Sequence, residues 1–206
     1  MATIISKAEQ ERLSRQVAEV ERTTAGELVV VVLAKSAPYV EYRLAGAVVL
    51  ALLVAAASHL VWPWVPGMEL LGAEVILIGL FFGVLGGASL LRCLIPRPVQ
   101  RKAVSDRVKQ LFIELGVTET RDRSGVLVLL SSLERRIEIL GDRGIHEHLG
   151  TEAWASLVQS FTQSARTGAA ADGLSEVIAR LGKELGAHFP ARTDDTNELP
   201  DEIRLG

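Results

Sequence analysis

The sequence predicts an α/β domain, a small mixed sheet flanked by helices, with a two-helix transmembrane hairpin inserted after the first strand. Three observations carry that prediction. Two Val- and Leu-rich runs, Glu27–Ala34 and Gly125–Ser131, are too short to cross a bilayer and read as strands buried on both faces. Charge-rich segments with helical apolar stripes surround them. Between the two runs, positions 44–91 hold no Lys, Arg or Asp, and Glu69 and Glu74 are the only formal charges there.

In chain order, Ser6 and Glu9 have the S-x-x-E spacing of a capping box, which starts a helix. Leu13, Val17 and Val20 continue it as an apolar stripe, and it ends near Thr23–Gly26. The first strand follows. Next come Leu44–Trp62 and Val75–Leu91, joined by Pro63–Gly67. Their lengths match the apolar stretch a helix needs to cross the hydrocarbon core, which predicts spans over about 44–62 and 72–92. Soluble helices of that length would show a polar face, and these do not.

The flanks orient the hairpin. Arg43 precedes it, Arg92, Arg97, Arg101 and Lys102 follow it, and the connecting loop has neither Lys nor Arg. Positive residues stay on the cytoplasmic side. The expectation is therefore a multi-pass protein of the bacterial cytoplasmic (inner) membrane with both termini cytoplasmic. Trp62 and Trp64 fit interfacial anchors, and His59 and Glu74 fall near the loop end, where water is close. Ala47, Ala51 and Ala55 form one small-residue stripe, and Gly79, Gly83 and Gly87 another. Such stripes let backbones approach in lipid, and the glycines are a candidate oligomer contact.

After the hairpin, Val104, Val108, Leu111, Phe112 and Leu115 predict a helix with Gly116 as its stop. The second strand turns near Ser132 and Leu133 into a third, Glu134–Leu140, with Ile137 and Ile139 on its buried side. One helix then carries Trp154, Leu157, Val158 and Phe161, and another Leu174, Val177, Ile178, Leu181 and Leu185. The predicted division is 1–42 and 96–188 as the two parts of one domain, 43–95 as the hairpin, and 189–206 as a polar tail. The strand–crossover–strand connection predicts a parallel first pair, with the third strand antiparallel.

Composition excludes several classes. A net charge of −3 over 206 residues, with no basic stripe, argues against nucleic acid as a partner. Cys93 is the single cysteine, so there is no internal disulfide and no thiolate cluster. Met1–Glu11 is too polar for a signal peptide, which leaves the apolar runs as the insertion signal. No nucleophile elbow and no Walker loop is present. His146 and His148 lack a third ligand and read as surface residues.

Thr23–Val32 (TTAGELVVVV), Arg123–Ser131 (RSGVLVLLS), Arg135–Ile145 (RRIEILGDRGI), His188–Pro190 (HFP) and Asn197–Asp201 (NELPD) together resemble the TPM domain family, in particular its bacterial membrane-bound members. The resemblance implies a compact α/β fold with helices around a small mixed sheet. It also implies the range of roles found among such proteins: thylakoid members tied to photosystem maintenance with a proposed acid phosphatase activity, accessory or receptor-associated members, and divalent-cation binding. Many members work outside the cytoplasm, whereas the charge bias here places the domain inside.

The predicted topology brings the start of strand one, the start of strand two and the end of strand three to one sheet edge. Glu27, Asp122 and Asp142 stand at those points. Three carboxylates there would suit a hard divalent cation, Ca²⁺ or Mg²⁺, able to polarise a phosphate and activate water. The alternatives are that Asp142 caps its own turn, Asp122 is a turn residue, and Glu27 pairs with Arg123 or Arg143. The functional expectation is a membrane-anchored module for binding, assembly or maintenance of membrane proteins, with the bilayer and a membrane protein as partners. The alternative is a divalent-metal-dependent phosphatase.

Overall fold

Leu28–Leu33 (β1) is mostly Val, whose branched Cβ favours the pleated chain. In the computed structural model, which describes residues 5–64, 67–148, 170–191 and 203–205, β1 lies inside a four-stranded sheet. The strand order is β3-β2-β1-β4, with β2 at Val126–Ser131, β3 at Arg136–Gly141 and β4 at Arg204–Leu205. β1 and β2 are parallel with Leu28 opposite Val126, and β3 runs antiparallel to β2 with Gly141 opposite Val126.

Both faces of the sheet are covered, which is why β1 is apolar throughout and β2 is apolar up to its last residue, Ser131. Leu28, Val30, Val32, Val126, Val128 and Leu130 join one core with α1 (Lys7–Glu21) and α7 (Ala170–His188). Val29, Val31, Leu33, Leu127 and Leu129 join a second with Val104, Val108, Leu111 and Phe112 of α5 (Arg97–Glu114). Full burial of each such side chain contributes roughly 1.5–3 kcal/mol. The helix ends follow the sequence signals. Ser6 and Glu9 form a reciprocal capping box on α1, and Gly116 takes the left-handed conformation (φ 68°) just past α5.

Two predicted elements of the sheet differ. The third strand begins at Arg136, because Glu134 is drawn into the preceding turn and buried at 2% exposure. The end of the predicted polar tail is a strand: β4 pairs parallel with β1 at Val31 and Val32, and Ile203 is buried beside it. Ile203 donates its N–H to Ser14 Oγ, and Gln10 Nε2 donates to the Ile203 carbonyl. Two apolar residues in a polar stretch are too few to show a period, so pairing with β1 was invisible in sequence. The helix expected around Trp154–Phe161 lies outside the described residues.

The chain forms two compact units, one of residues 1–36 with 102–206 and one of residues 37–101. The second unit holds α2 (Val40–Val61), α3 (Gly67–Val84) and α4 (Ala88–Leu94). α2 meets the length and composition of a membrane span, and only 11% of its apolar window is buried, the reverse of a core helix. α2 and α3 pack together with Ala47 and Ala51 buried. Around Gly79 and Gly83 no atom of a described residue lies within 4 Å of where a Cβ would stand, so the two small-residue stripes do not face each other.

The second apolar run is not one straight helix over 72–92. Leu71–Val84 and Ala88–Leu94 meet at 104°, and they reach the composition of a span only as that bent pair. Gly86 and Gly87 close the end of α3 with short-range bonds to the carbonyls of Gly83 and Val84. Arg43 fills the corner: its guanidinium donates to the Phe82 carbonyl (2.8 Å) and stacks 4.1 Å from the Phe82 ring centroid. A Cβ at Gly86 would stand 2.8 Å from Arg43 Nη2. Apolarity alone shows none of this, which is why the sequence reads as an uninterrupted span.

Candidate functional site

The register sets the first end of the sheet. The Val126 N–H donates to the Glu27 carbonyl, and the Asp142 N–H donates to the Gly125 carbonyl. Glu27 and Asp142 therefore flank the entry to β2, one at the foot of β1 and one just past β3. Both are buried, at 8% exposure each, while Asp122 is partly exposed in the loop before β2. Among the described residues, no group of three or more His, Cys, Asp or Glu side chains is arranged to hold a metal ion.

Asp142 is the most constrained of the three. Its Oδ1 accepts the Arg143 N–H (2.7 Å), so it caps the turn into α6 (Arg143–His148). Its Oδ2 is buried, makes no hydrogen bond among the described residues, and stands 3.9 Å from Arg123 Nη1. Arg123, in the left-handed region at φ 54°, also donates to the Thr118 carbonyl. The arginine is mostly exposed, so the pair is a weak screened attraction rather than a closed ion pair. His146 and His148 are on α6.

Thr24, buried beside this end, donates its hydroxyl to the Phe189 carbonyl and accepts the Gly26 N–H. Ser124 donates to the Ala25 carbonyl, and Glu21 accepts the Leu28 N–H. These bonds satisfy the backbone where strand pairing stops. The T-x-G-E stretch is joined to the H-F-P stretch: Thr24 bridges Pro190, and the Ala25 N–H donates to the Phe189 carbonyl.

The opposite end of β1 and β2 holds a polar cluster that sequence reading missed. Glu134 accepts the Ser36 N–H on Oε1 (3.0 Å) and the Ser131 hydroxyl on Oε2, and Ser36 Oγ donates to Ser131 Oγ (2.7 Å). The signal was available as the S-x-x-E spacing of Ser131 and Glu134, but the apolar alternation after it drew Glu134 into the strand. Ser131 is fully buried, so this cluster anchors the loop leaving β1 rather than meeting a substrate.

On β3, burial pushes the Glu138 carboxyl above its usual value, and Arg136 and Lys109 draw it partly back. The folded state then holds that proton more tightly than the unfolded one. Its contribution is complete below the ordinary carboxylate range and is lost as pH rises through the raised value. Glu138→Gln is expected to raise the thermal midpoint slightly at neutral pH and to give no gain below about pH 4, as a pH series of melting curves will test.

Residues 91–184 match the family described as TPM domain. The NMR structure of the BA42 protein from the psychrophilic bacterium Bizionia argentinensis is similar in fold, with a TM-score of 0.62 and 19% identity over 98% of this chain and 95% of that one. No curated protein matches the chain. The family match covers α5, β2, β3, α6 and most of α7, while α1 and β1 precede it and β4 follows it.

Proposed function

We propose, from the premise that this chain is a TPM-domain protein, that it is a membrane-anchored module for binding, assembly or maintenance of membrane proteins. The observation that carries this reading is α2, a 22-residue apolar helix with its surface outward, in a unit inserted between the first two strands of a closed domain. α3 adds outward Val75, Ile76 and Leu80. In this reading α2 and α3 form the hairpin, both termini are cytoplasmic, and the loop after Trp62 faces outward. The open faces of Gly79 and Gly83 suit close approach by a partner helix or a second copy.

The test begins with alkaline carbonate washing of membranes from cells making the full chain. Retention in the pellet is expected, and release to the supernatant would refute the anchor. Mild detergent extraction should then recover one reproducible membrane-protein partner. Recovery of none, from membranes where the chain is abundant, counts against the module.

A second reading, phosphomonoester hydrolysis with Ca²⁺ or Mg²⁺ held near Glu27, Asp122 and Asp142, draws support from the buried Asp142 Oδ2. That oxygen lacks a hydrogen bond among the described residues, and a carboxylate oxygen is the ligand type that hard divalent cations take. Asp142→Asn is expected to abolish metal-dependent release of phosphate from a chromogenic phosphomonoester by the purified chain. Unchanged turnover in that variant removes the site.

A further inference from the structure

The bend after α3 is held at both of its ends. On one side, Arg43 fits against Phe82 and Gly86, and Leu94 of α4 packs against Gly46 of α2, where an added Cβ would meet Leu94 Cδ2 at 2.8 Å. On the other, the buried Gln100 donates from Nε2 to the carbonyls of Arg92 (2.9 Å) and Ile95 (2.8 Å), tying the last turn of α4 to the first turns of α5. Leu91 and Ile95 are buried on the inner side, while Ser89, Leu90 and Cys93 are exposed. The corner is thus a built joint.

If α3 crosses a bilayer, a helix at 104° to it cannot cross too, because its axis then runs nearly parallel to the surface. Its level is that of Arg43, a residue that keeps its charge near water. Arg97 and Arg101 follow at once, exposed and four residues apart, so they share one side of α5. Neither makes an ion pair or hydrogen bond to a described residue that would neutralise it. Anionic headgroups complement such a pair at the foot of an apolar hairpin.

We infer that α4 lies in the plane of the cytoplasmic membrane surface as an interfacial helix, with Arg97 and Arg101 against the phosphates of anionic lipids. This rests on the membrane reading above. The hairpin then ends in a lipid-bound elbow, and the crossing part of the second apolar run is the 18-residue α3, a length near the short limit for a span.

The test uses the full chain in phosphatidylcholine vesicles with and without phosphatidylglycerol. A spin label on the single cysteine, Cys93, is compared with one at Ser89→Cys in a Cys93→Ser background, and with one at Leu80→Cys in the same background. Positions 89 and 93 lie on one side of α4, so an in-plane helix puts both labels at one interfacial depth. A helix continuing across the membrane separates them by about 6 Å. The Leu80 label is expected in the hydrocarbon. Arg97→Gln with Arg101→Gln is expected to weaken the preference for phosphatidylglycerol roughly fivefold per charge removed, read from spin-labelled lipid association. A graded depth between 89 and 93, with the Leu80 label buried, overturns the in-plane helix. An unchanged lipid preference overturns the headgroup contact. A Leu80 label in water overturns the membrane reading and this proposal with it.

Discussion

Glu134→Ala is expected to lower stability by about 3 kcal/mol, because a buried carboxylate accepting two hydrogen bonds is removed and its donors stay behind. Those donors are the Ser36 N–H and the Ser131 hydroxyl, and Ser131 is fully buried. Water cannot take the place of the carboxylate without opening the turn, where Ser132 and Leu133 donate to the carbonyls of Leu33 and Ala34. Thermal unfolding of the full chain in detergent should show a midpoint roughly 6–12 °C lower. Glu134→Gln keeps the shape and one good acceptor, and should lose less than half as much. Equal midpoints for wild type and the alanine variant would show that the cluster contributes no stability.

Gly125→Ala is the other large effect, and its cause is steric. A Cβ at position 125 would stand 2.4 Å from the Val117 carbonyl oxygen and 2.6 Å from Val117 Cγ1. Val117 is buried at the start of the 3-10 turn (Val117–Glu119) that follows α5, and β2 starts at the next residue after Gly125. One of the two obstacles is backbone, so neither side moves without breaking the β2 register. The expected cost is about 3 kcal/mol, the upper part of the range for overpacking. Val117→Ala in the same chain removes the side-chain contact and leaves the carbonyl, so it should restore only part of the lost midpoint. Full restoration would locate the conflict in the side chain alone.

Much of the fold was legible because each signal was local or periodic. The capping box on α1, the unbroken apolar runs of β1 and β2, and the stripe of Leu174, Val177, Ile178, Leu181 and Leu185 on α7 all mark burial directly, and all five stripe residues are fully buried. The placement of Glu27 and Asp142 at one end of the sheet followed from topology alone, since a parallel pair joined to an antiparallel third strand admits that arrangement. Their side-chain bonding did not follow. Asp142 turns one oxygen to its own turn and the other toward Arg123, and sequence spacing could not choose among those partners.

What escaped the sequence shares a physical cause. Glu134 looks like the first polar residue of an alternating strand, and its burial becomes favourable when Ser36, just past the end of β1, joins Ser131 in donating to it. Ile203–Leu205 is too short to nucleate anything alone, and becomes a strand because β1 offers it an unpaired edge. The bend at Gly86 and Gly87 is braced by the Arg43 guanidinium, whose bond to the Phe82 carbonyl spans 39 positions of the chain.

By itself the sequence determined the sheet's central strands, the helices that cover it, and an apolar insertion between β1 and β2. Each depends on a residue's own apolarity or on neighbours within a turn. Only the tertiary structure decided where Glu134 is held, which tail residues close the sheet, and that the second apolar run turns a corner. Those depend on hydrogen bonds and close contacts between residues far apart in the chain, which become favourable only once the fold has brought them together.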